Sequence, residues 1–455
     1  MKYLIILLGL VFTQCSIGRK PGYEAISSGI NWFDQDNNEV NAHGACIIKE
    51  GDTYYLFGEY KTDSANVFIG FSCYSSKDLY NWTFEGMALP QQVAGILGPN
   101  RVGERPKVMK CPKTGEFVMF MHTDDRNYKD AKVGYATSKT INGTYTFRGP
   151  LLYEGKPIKR WDMGTFHDSD GKGYLLIHHG SIYELSDDFR SVKRLVVSGQ
   201  KSGESPALFK SNGTYFWLSS NLTSWERNDN YYLTATSLEG PWTKQGCFAP
   251  EGSLTWNSQC SFVLPISNGS DSLFLYMGDR WSFPKQGSAA TYVWQPISVE
   301  GSQMSVPEFL EHWTVNASDV RWQGFSYSGK PCTHTSSEGN WVNEAGFLVS
   351  NEKGATVQYV FEGSRIGLIG RSNAVGGYAR FVLQDDSGKE ILNTLVDFYS
   401  KKEDVALKFL SPGMKKGRYT LRIEVLGEHG VWTDKSKRIF GSSDDYIAVQ
   451  SVFVE

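Results

Sequence analysis

The sequence predicts an all-β protein, a five-bladed β-propeller followed by a C-terminal β-sandwich. The first observation is a repeated pattern: a polar residue, a short apolar strand, a tight turn and an aromatic-rich return strand. It is clearest in residues 203–218. The pattern occurs five times at intervals of about 40–60 residues, the scale on which propeller blades recur. The second observation is composition, since 14% of the residues are aromatic and strands favour such side chains.

The polar residues that begin the five hairpins are predicted to meet. The first strand of a blade runs beside the axis of a propeller, so its leading residue can point into the funnel that all blades share. Polar residues begin hairpins in many antiparallel proteins, but five in succession favour the propeller. The five leading residues are His43, Glu104, Asp162, Glu204 and Gln259.

The length and composition of the chain fit two or three globular domains. The chain has 455 residues, of which 40% are hydrophobic, enough for a buried core. A net charge of −3 gives no reason to expect a nucleic-acid partner, and a monomer is expected. We expect a leader and tether at residues 1–22, the propeller at 23–318 and the sandwich at 319–455.

The N-terminus is predicted to direct export. Lys2 is followed by an apolar run at residues 4–12, too short for a permanent membrane span, and then by Cys15. This pattern is similar to a bacterial lipoprotein signal and predicts a periplasmic or outer-membrane lipoprotein, attached to the membrane through lipid on Cys15 alone. Gln14 departs from the small residue usual before such a cysteine, so secretion after ordinary cleavage is the alternative.

The remaining six cysteines do not predict a metal site. No C-x-x-C pair is present, so zinc is not expected. An even number permits disulfides in an exported protein. However, Cys46, Cys111 and Cys260 lie in or beside predicted core strands, where buried free thiols are expected.

Beyond residue 319 the pattern of the chain changes. Residues 419–425 alternate apolar and polar side chains, which is typical of a half-buried strand, and residues 357–361 and 446–454 behave similarly. We expect a second all-β domain of the jelly-roll sandwich type.

Several carboxylates in one funnel suit cleavage of a glycosidic bond. One acid must protonate the leaving oxygen, while a second group handles water. A nearby carboxylate raises the pKa of its neighbour, so one member of the cluster can stay protonated and serve as general acid.

Two segments resemble a known family. Residues 161–174, with Asp162, and residues 203–210, with Glu204, are similar to the blade-three and blade-four motifs of glycoside hydrolase family 43. Its members are five-bladed propellers that hydrolyse glycosides with inversion. The resemblance implies that Glu204 is the general acid and that Asp162 orients it and tunes its pKa. The aspartate that usually heads blade one as general base is absent, because His43 stands there.

One branch of the family, the exo-β-1,3-galactanases, resembles the chain more closely because it also lacks this aspartate. Glu104 and Gln259 match the branch's glutamate in blade two and glutamine heading blade five. The resemblance implies release of galactose from the non-reducing end of β-1,3-galactan, a polysaccharide or oligosaccharide substrate. Gln259 would position water or accept its proton as an imidic acid. His43 is chemically the better base, or else it binds substrate or fixes the floor of the funnel by hydrogen bonds; the sequence leaves this open.

Four residues after the inner hairpins are predicted to contact sugar: Glu59, Tyr128, Thr223 and Trp225. They could bind hydroxyl groups or stack on a ring, and Trp225 is the best candidate for stacking. Ordinary loop packing is the alternative for each.

The C-terminal domain resembles β-sandwich carbohydrate-binding modules. Trp341 and Trp432 could form a platform for sugar or could be buried. The reaction requires no cofactor, but calcium could bind in this domain at residues 385–386 or 444–445, where acidic residues are adjacent.

Two alternatives to the galactanase hypothesis stay open. An α-L-arabinofuranosidase or β-xylosidase could use the same fold, although such enzymes normally have the missing aspartate. A non-catalytic sugar-binding propeller is the other alternative, but sugar binding alone does not require Glu204 together with Asp162.

Overall fold

A computed structural model of the protein describes residues 22–269, 271–434 and 436–455. In these residues the protein is all-β, as the sequence predicts, apart from one short helical turn. The proposed signal and Cys15 lie outside the described residues. Within them, no helix is long and apolar enough to cross a membrane.

The first part of the chain forms five four-stranded antiparallel sheets, each made of consecutive strands. A short strand, β1 (Ile26–Ser27), precedes them. Sheet I contains β2 (His43–Glu50), β3 (Thr53–Glu59), β4 (Gly70–Ser76) and β5 (Thr83–Pro90). Sheet II contains β6 (Arg101–Lys110), β7 (Phe117–Asp125), β8 (Lys132–Ser138) and β9 (Thr146–Pro150). A small hairpin, β10 (Leu152–Tyr153) and β11 (Lys156–Pro157), follows.

Sheets III to V continue the same order. Sheet III contains β12 (Met163–His167), β13 (Gly173–Ile177), β14 (Ser181–Leu185) and β15 (Val192–Val197). Sheet IV contains β16 (Glu204–Ser211), β17 (Thr214–Ser220), β18 (Tyr231–Ala235) and β19 (Thr243–Cys247). After the helical turn α1 (Leu254–Asn257), sheet V contains β20 (Gln259–Ser267), β21 (Ser272–Arg280), β22 (Thr291–Glu300) and β23 (Gln303–Ser305).

Tight turns explain why the predicted hairpins form. In sheet IV, Ser211 pairs with Thr214, which leaves a two-residue loop of Asn212 and Gly213. Both residues have positive φ, 47° and 80°, the geometry that Asn-Gly supplies to hairpin turns that match the strand twist.

The first strands of the five sheets contact one another in a closed cycle: β2 with β6, β6 with β12, β12 with β16, β16 with β20, and β20 with β2. Buried apolar clusters fill the spaces between neighbouring sheets, for example around Phe57 and Met119 between sheets I and II. The starts of the five first strands are therefore brought to one place.

The last part of the chain forms two larger sheets. Before them, β24 (His312–Asn316) pairs with β1 and with β25 (Arg321–Gly324), so the predicted boundary at residue 318 falls in a hairpin turn. The strands of the six-stranded sheet are β26 (Lys330–Pro331), β28 (Val342–Glu344), β29 (Phe347–Ser350), β31 (Ile366–Ser372), β34 (Asp404–Leu410) and β38 (Ile447–Val454). The strands of the five-stranded sheet are β27 (Ser336–Glu338), β30 (Thr356–Gly363), β32 (Tyr378–Asp385), β33 (Glu390–Asp397) and β35 (Gly417–Val425). A separate hairpin contains β36 (Val431–Thr433) and β37 (Ile439–Gly441).

The two parts of the chain pack directly on each other. One buried apolar cluster includes Trp32 and Trp294 of the first part together with Leu368 and Phe409 of the last part. The Asn31 side chain also donates a hydrogen bond to the Thr394 hydroxyl at 3.0 Å. The last part is thus fixed against the five sheets.

The structure resolves several open points of the C-terminal domain. The platform hypothesis is wrong for Trp432, because its side chain is buried in β36 against Tyr399 and Phe440. Trp341 is half-buried against the core. Among the described residues, neither acidic pair belongs to a group of three possible metal ligands, so calcium stays a prediction. The three core-strand cysteines are buried and free, as expected: Cys46, Cys111 and Cys260.

Candidate active site

A cavity of about 750 Å³ lies where the first strands of the sheets begin. It is lined by residues of sheets I, II, IV and V, of the segment before sheet III, and of the C-terminal hairpin. The four predicted catalytic residues all line it: Glu104, Asp162, Glu204 and Gln259.

Three of the first strands contain the same bulge. The pairing register shifts directly after His43 and Glu204, the first residues of β2 and β16, and after Glu104, the fourth residue of β6. The next residue is left-handed each time, with φ of 58° at Gly44, 54° at Arg105 and 53° at Ser205. Bulges of this kind aim side chains out of the regular ladder and are frequent at active sites.

A carboxylate from a different sheet, or from the segment that precedes a different sheet, stabilises each bulge. The Gly44 N–H donates to Asp279 at 3.1 Å, and the Ser205 N–H donates to Asp162 at 2.8 Å. The Arg105 N–H donates to Glu59 at 3.0 Å. These charge-assisted bonds offset the cost of the left-handed backbone and fix the sheets relative to one another.

The Arg105 side chain connects two of the predicted catalytic residues. Its Nε lies 3.3 Å from Asp162 Oδ1, and its Nη2 donates to Gln259 Oε1 at 2.7 Å. Burial lowers the pKa of Arg105, but Asp162, Glu59 and further carboxylates outweigh it, so the pKa lies above its ordinary value. The guanidinium is therefore a permanent cation beneath the cavity. The sequence analysis did not give it a role.

Asp162 is held as a carboxylate next to Glu204. Burial raises its pKa, but the charge of Arg105 outweighs burial and the pKa lies below its ordinary value. Its Oδ2 accepts hydrogen bonds from the backbone and hydroxyl of Ser205, at 2.8 and 3.2 Å. Asp162 thus fixes the residue that follows Glu204.

Glu104 belongs to a buried chain of charges. Its Oε1 accepts hydrogen bonds from Asn66 and Tyr128, each at 2.7 Å, and its Oε2 lies 2.9 Å from His122 Nδ1. The other ring nitrogen of His122 lies 3.1 Å from Asp124. Burial lowers the pKa of His122, but hydrogen bonds to the two carboxylates outweigh it and raise the pKa to about 9. Burial raises the pKa of Glu104, but protonated His122 holds it well below its ordinary value.

Gln259 is fixed on both sides of its amide. The carbonyl oxygen accepts from Arg105 at 2.7 Å and from Trp281 Nε1 at 2.8 Å, while the amide nitrogen donates to the Ser220 hydroxyl at 3.0 Å. Gln259 follows α1, whose four residues all have left-handed φ between 53° and 58°. Such strained backbone persists at sites where the surroundings determine it.

Glu204 differs from the other cavity carboxylates. Glu104 and Asp162 are buried, with 8% and 7% of their surface exposed, whereas Glu204 is half-buried. It leads β16 and pairs there with Ser220. Glu204 is thus the most exposed of the three predicted catalytic carboxylate residues.

Two predicted substrate contacts are not supported. His43 is 1% exposed, does not line the cavity, and lies between Asp279, at 3.3 Å, and the parallel ring of Tyr292. It is a buried hydrogen-bonding residue, which was its alternative interpretation. Thr223 donates its hydroxyl to the Glu226 carbonyl at 2.6 Å and does not line the cavity.

Aromatic residues form much of the cavity rim. Trp225 stacks on Phe283 with ring centres 5.6 Å apart and meets Trp281 edge-on at 5.4 Å. Tyr128 and Glu59 also line the cavity, although the Glu59 carboxylate is buried in an ion pair with Lys61. Lys61 lies over both tryptophan rings.

One signal in the sequence could have found more of these residues. In sheets II, IV and V, a polar residue near the end of the second strand pairs with the predicted site residue of the first strand: His122 with Glu104, Ser220 with Glu204, and Asp279 with Gln259. Once a site residue is predicted on the first strand, its partner can therefore be predicted from the hairpin register. In contrast, no sequence pattern pointed to Thr433, Asp434 and Ser436, which line the cavity from the last part of the chain.

The floor does not fit a metal ion. Glu104, His122 and Asp162 offer donor atoms within 4.8 Å of one another. However, both nitrogens of His122 lie within hydrogen-bond distance of carboxylates, and its pKa is raised to about 9. A protonated imidazole cannot ligate a metal.

Comparison with known proteins agrees with this geometry. The model of Glycosyl hydrolases family 43 matches residues 39–246. A crystal structure of a proposed exo-β-1,3-galactanase from Bifidobacterium bifidum s17 is 35% identical, with a TM-score of 0.58, over 62% of this chain and 95% of that one. An exo-β-1,3-galactanase from Phanerochaete chrysosporium, solved with β-1,3-galactotriose, is 27% identical, with a TM-score of 0.69, over 95% of this chain and 100% of that one.

A curated relative matches a smaller part of the chain. The β-xylosidase of Bacillus subtilis (strain 168) is 27% identical in an alignment of 221 residues that covers 43% of this chain and 39% of the xylosidase. The alignment thus spans well under half of that protein. The matched family model and the 35% identity to the Bifidobacterium structure, of which this chain covers 95%, lead to one conclusion: the chain belongs to glycosyl hydrolases family 43.

Proposed function

We propose that the protein is an exo-acting, inverting glycoside hydrolase that releases galactose from the non-reducing end of β-1,3-galactan. The observation that carries this proposal is the cavity itself, where the amide of Gln259 stands beside the carboxylates of Glu104, Asp162 and Glu204. The likeness to exo-β-1,3-galactanases over nearly the whole chain supports the choice of substrate.

The proposed architecture is a five-bladed propeller followed by a β-sandwich. The closed cycle of contacts among β2, β6, β12, β16 and β20 supports the first assignment, since blades are arranged around an axis in this way. Two sheets that share one apolar core support the second. Export as a Cys15 lipoprotein, a monomeric state and calcium in the sandwich are carried forward as expectations.

In the proposed reaction Glu204 is the general acid. Asp162 and Glu104 are ionised, because Arg105 and His122 lower their pKa values. Glu204, the more exposed of the three, is the group proposed to carry the proton. Its proton passes to the glycosidic oxygen as the bond from that oxygen to the anomeric carbon breaks, and Asp162 positions Glu204 through Ser205.

Gln259 is proposed to position the attacking water. Arg105 and Trp281 lock its amide in one orientation, so a water bonded to it has a defined place. Water attacks the anomeric carbon from the opposite face and loses one proton to a neighbouring water molecule, which converts a β-linkage into α-galactose. Ionised Glu104 accepts hydrogen bonds and suits binding of a sugar hydroxyl near the reacting carbon.

Proton NMR of the products of β-1,3-galactan tests the proposal. We expect wild type to release α-galactose first. Glu204→Gln should lower kcat by about 10²–10⁴-fold, the usual contribution of a general acid, and Gln259→Ala should also lower it strongly. Glu362→Gln, an exposed glutamate on β30, is the matched control.

Three results would contradict the proposal. Release of β-galactose would exclude inversion. Hydrolysis of xylan or arabinan but not galactan would favour the alternative suggested by the likeness to the β-xylosidase. Binding of galactan without hydrolysis by wild type would favour a sugar-binding protein.

A further inference from the structure

A turn of the last part of the chain reaches the cavity of the first part. The last residue of β36, Thr433, and the following Asp434 and Ser436, here called the C-terminal turn, line the cavity together with Trp225 and Phe283. We propose that this turn forms the outer wall of the substrate site and contacts the galactan chain on the leaving-group side. The inference rests on the proposed function.

The hairpin that carries the turn is fixed against the rim. A side-chain carbon added at Gly430, just before β36, would come within 2.6 Å of the Phe283 carbonyl oxygen, so the two backbones touch. The Tyr378 hydroxyl lies 3.3 Å from the carbonyl oxygens of Ser282 and Phe283. Trp432 of β36 is buried against Tyr399. These contacts hold the hairpin beside the aromatic rim.

The same interface also fixes the two segments that bear the rim aromatics. Glu226, the residue directly after Trp225, accepts a hydrogen bond from the Tyr399 hydroxyl at 2.6 Å. Ser282, which stands between Trp281 and Phe283 in the sequence, donates its hydroxyl to Asp397 at 2.7 Å. The last part of the chain therefore contributes to the site both by lining it and by positioning residues of the first part.

The turn presents groups suited to a neutral sugar. Asp434 Oδ1 accepts hydrogen bonds from the backbone and hydroxyl of Ser436, at 2.8 and 2.7 Å, and from the Arg438 N–H at 3.0 Å. The carboxylate thus holds the turn closed. Thr433 and Ser436 are exposed and line the cavity, which Trp225 and Phe283 also line. Hydroxyl groups and aromatic rings in one pocket are typical of sugar sites.

The depth of the cavity gives the direction of the substrate. The catalytic residues Glu104, Asp162 and Gln259 are buried at the floor, whereas Thr433 and Ser436 are exposed at the rim. An exo enzyme binds the terminal galactose at the reacting residues, so the remainder of the chain extends outward. The turn should therefore contact the second and later galactose units, and its contribution should grow with chain length.

The test compares kcat/KM for β-1,3-linked galactose oligomers of two to five units. Asp434→Ala opens the turn, and Thr433→Ala removes one hydroxyl without touching the hydrogen bonds of Asp434. For the longer oligomers we expect kcat/KM to fall about 3- to 10-fold, mainly through KM, as for the loss of one or two hydrogen bonds. The loss for the disaccharide should be smaller.

A second turn in the same part of the chain provides a matched control. Asp385 Oδ1 accepts from the backbone and hydroxyl of Ser387 and from the Lys389 N–H, as Asp434 does from Ser436 and Arg438, but it does not line the cavity. Asp385→Ala should retain the wild-type dependence on chain length. Thermal melting of all three variants checks that each is folded.

The outcomes separate this inference from the proposed function. If wild type hydrolyses the oligomers and both Asp434→Ala and Thr433→Ala behave like Asp385→Ala, the wall is disproved and the galactanase assignment is unaffected. If wild type hydrolyses none of the oligomers, the galactanase assignment fails, and the wall proposal fails with it.

Discussion

The floor and the rim of the cavity are built in opposite ways. The floor consists of Glu104, Arg105, Asp162 and Gln259, which are buried and bonded to one another or to neighbouring sheets. The rim consists of half-exposed aromatic residues and the C-terminal turn, which come from connecting segments and from both parts of the chain.

This difference separates two tasks. A floor of fixed charges stabilises the charge that develops during bond cleavage and need not reorganise, so it should govern kcat. A rim of stacking surfaces and hydroxyl groups binds substrate and transition state about equally, so it should govern KM. Substitutions in the two regions test this distinction.

The largest effect is expected at the centre of the floor. Arg105→Gln removes the cation shared by Asp162 and Gln259, so both lose the partner that orients them. We expect kcat/KM for β-1,3-galactobiose to fall by about 10²–10³-fold, as for loss of a preorganised electrostatic group. Arg126→Gln, at an exposed arginine of the same cavity, should cost far less. Equal losses would show that floor and rim do not differ.

A smaller effect is expected at the rim. Trp225→Ala removes the ring that stacks on Phe283 and faces the cavity. KM should rise about 3- to 10-fold, the usual energy of one aromatic contact, while kcat changes little. Trp322→Ala, at an exposed tryptophan of β25 outside the cavity, is the control. A fall in kcat rather than a rise in KM would place Trp225 with the catalytic residues.

The smallest effect is a pH dependence of stability that originates in the floor. The pKa of His122 is raised from 6.5 to about 9 by Asp124 and Glu104 despite burial. Its stabilising contribution is therefore complete below pH 6.5 and is lost as pH rises through about 9. Melting temperatures of wild type and His122→Gln should accordingly differ by a few degrees near pH 6 and converge towards pH 10.

The quantity to follow is the difference in melting temperature between wild type and His122→Gln at each pH, because other groups titrate in the same range. Burial lowers the pKa values of Lys107 and Lys408 to about 8, so in wild type these residues favour the folded state increasingly above that pH. Both proteins contain these lysines, so the difference isolates His122. A difference that does not change with pH would contradict a charged His122.

Much of the floor could be predicted because each leading residue follows from a local pattern. A polar residue before a short apolar strand and a tight turn identified Glu104, Asp162, Glu204 and Gln259, and all four line one cavity. The same pattern predicted that His43 joins this cluster, but His43 does not line the cavity. Its neighbours Asp279 and Tyr292 come from sheet V, and its side chain is buried against them. Whether a leading residue faces the cavity or the interior depends on those distant neighbours.

The sequence by itself determined the β class, the hairpins and which residues are candidates for the reacting groups, because strand alternation, turn residues and side-chain chemistry are local properties. The tertiary structure alone decided that Arg105 joins Asp162 to Gln259, that His122 is charged, and that the C-terminal turn reaches the cavity. These features depend on distances between residues far apart in the chain and on burial. Both arise only when the sheets pack.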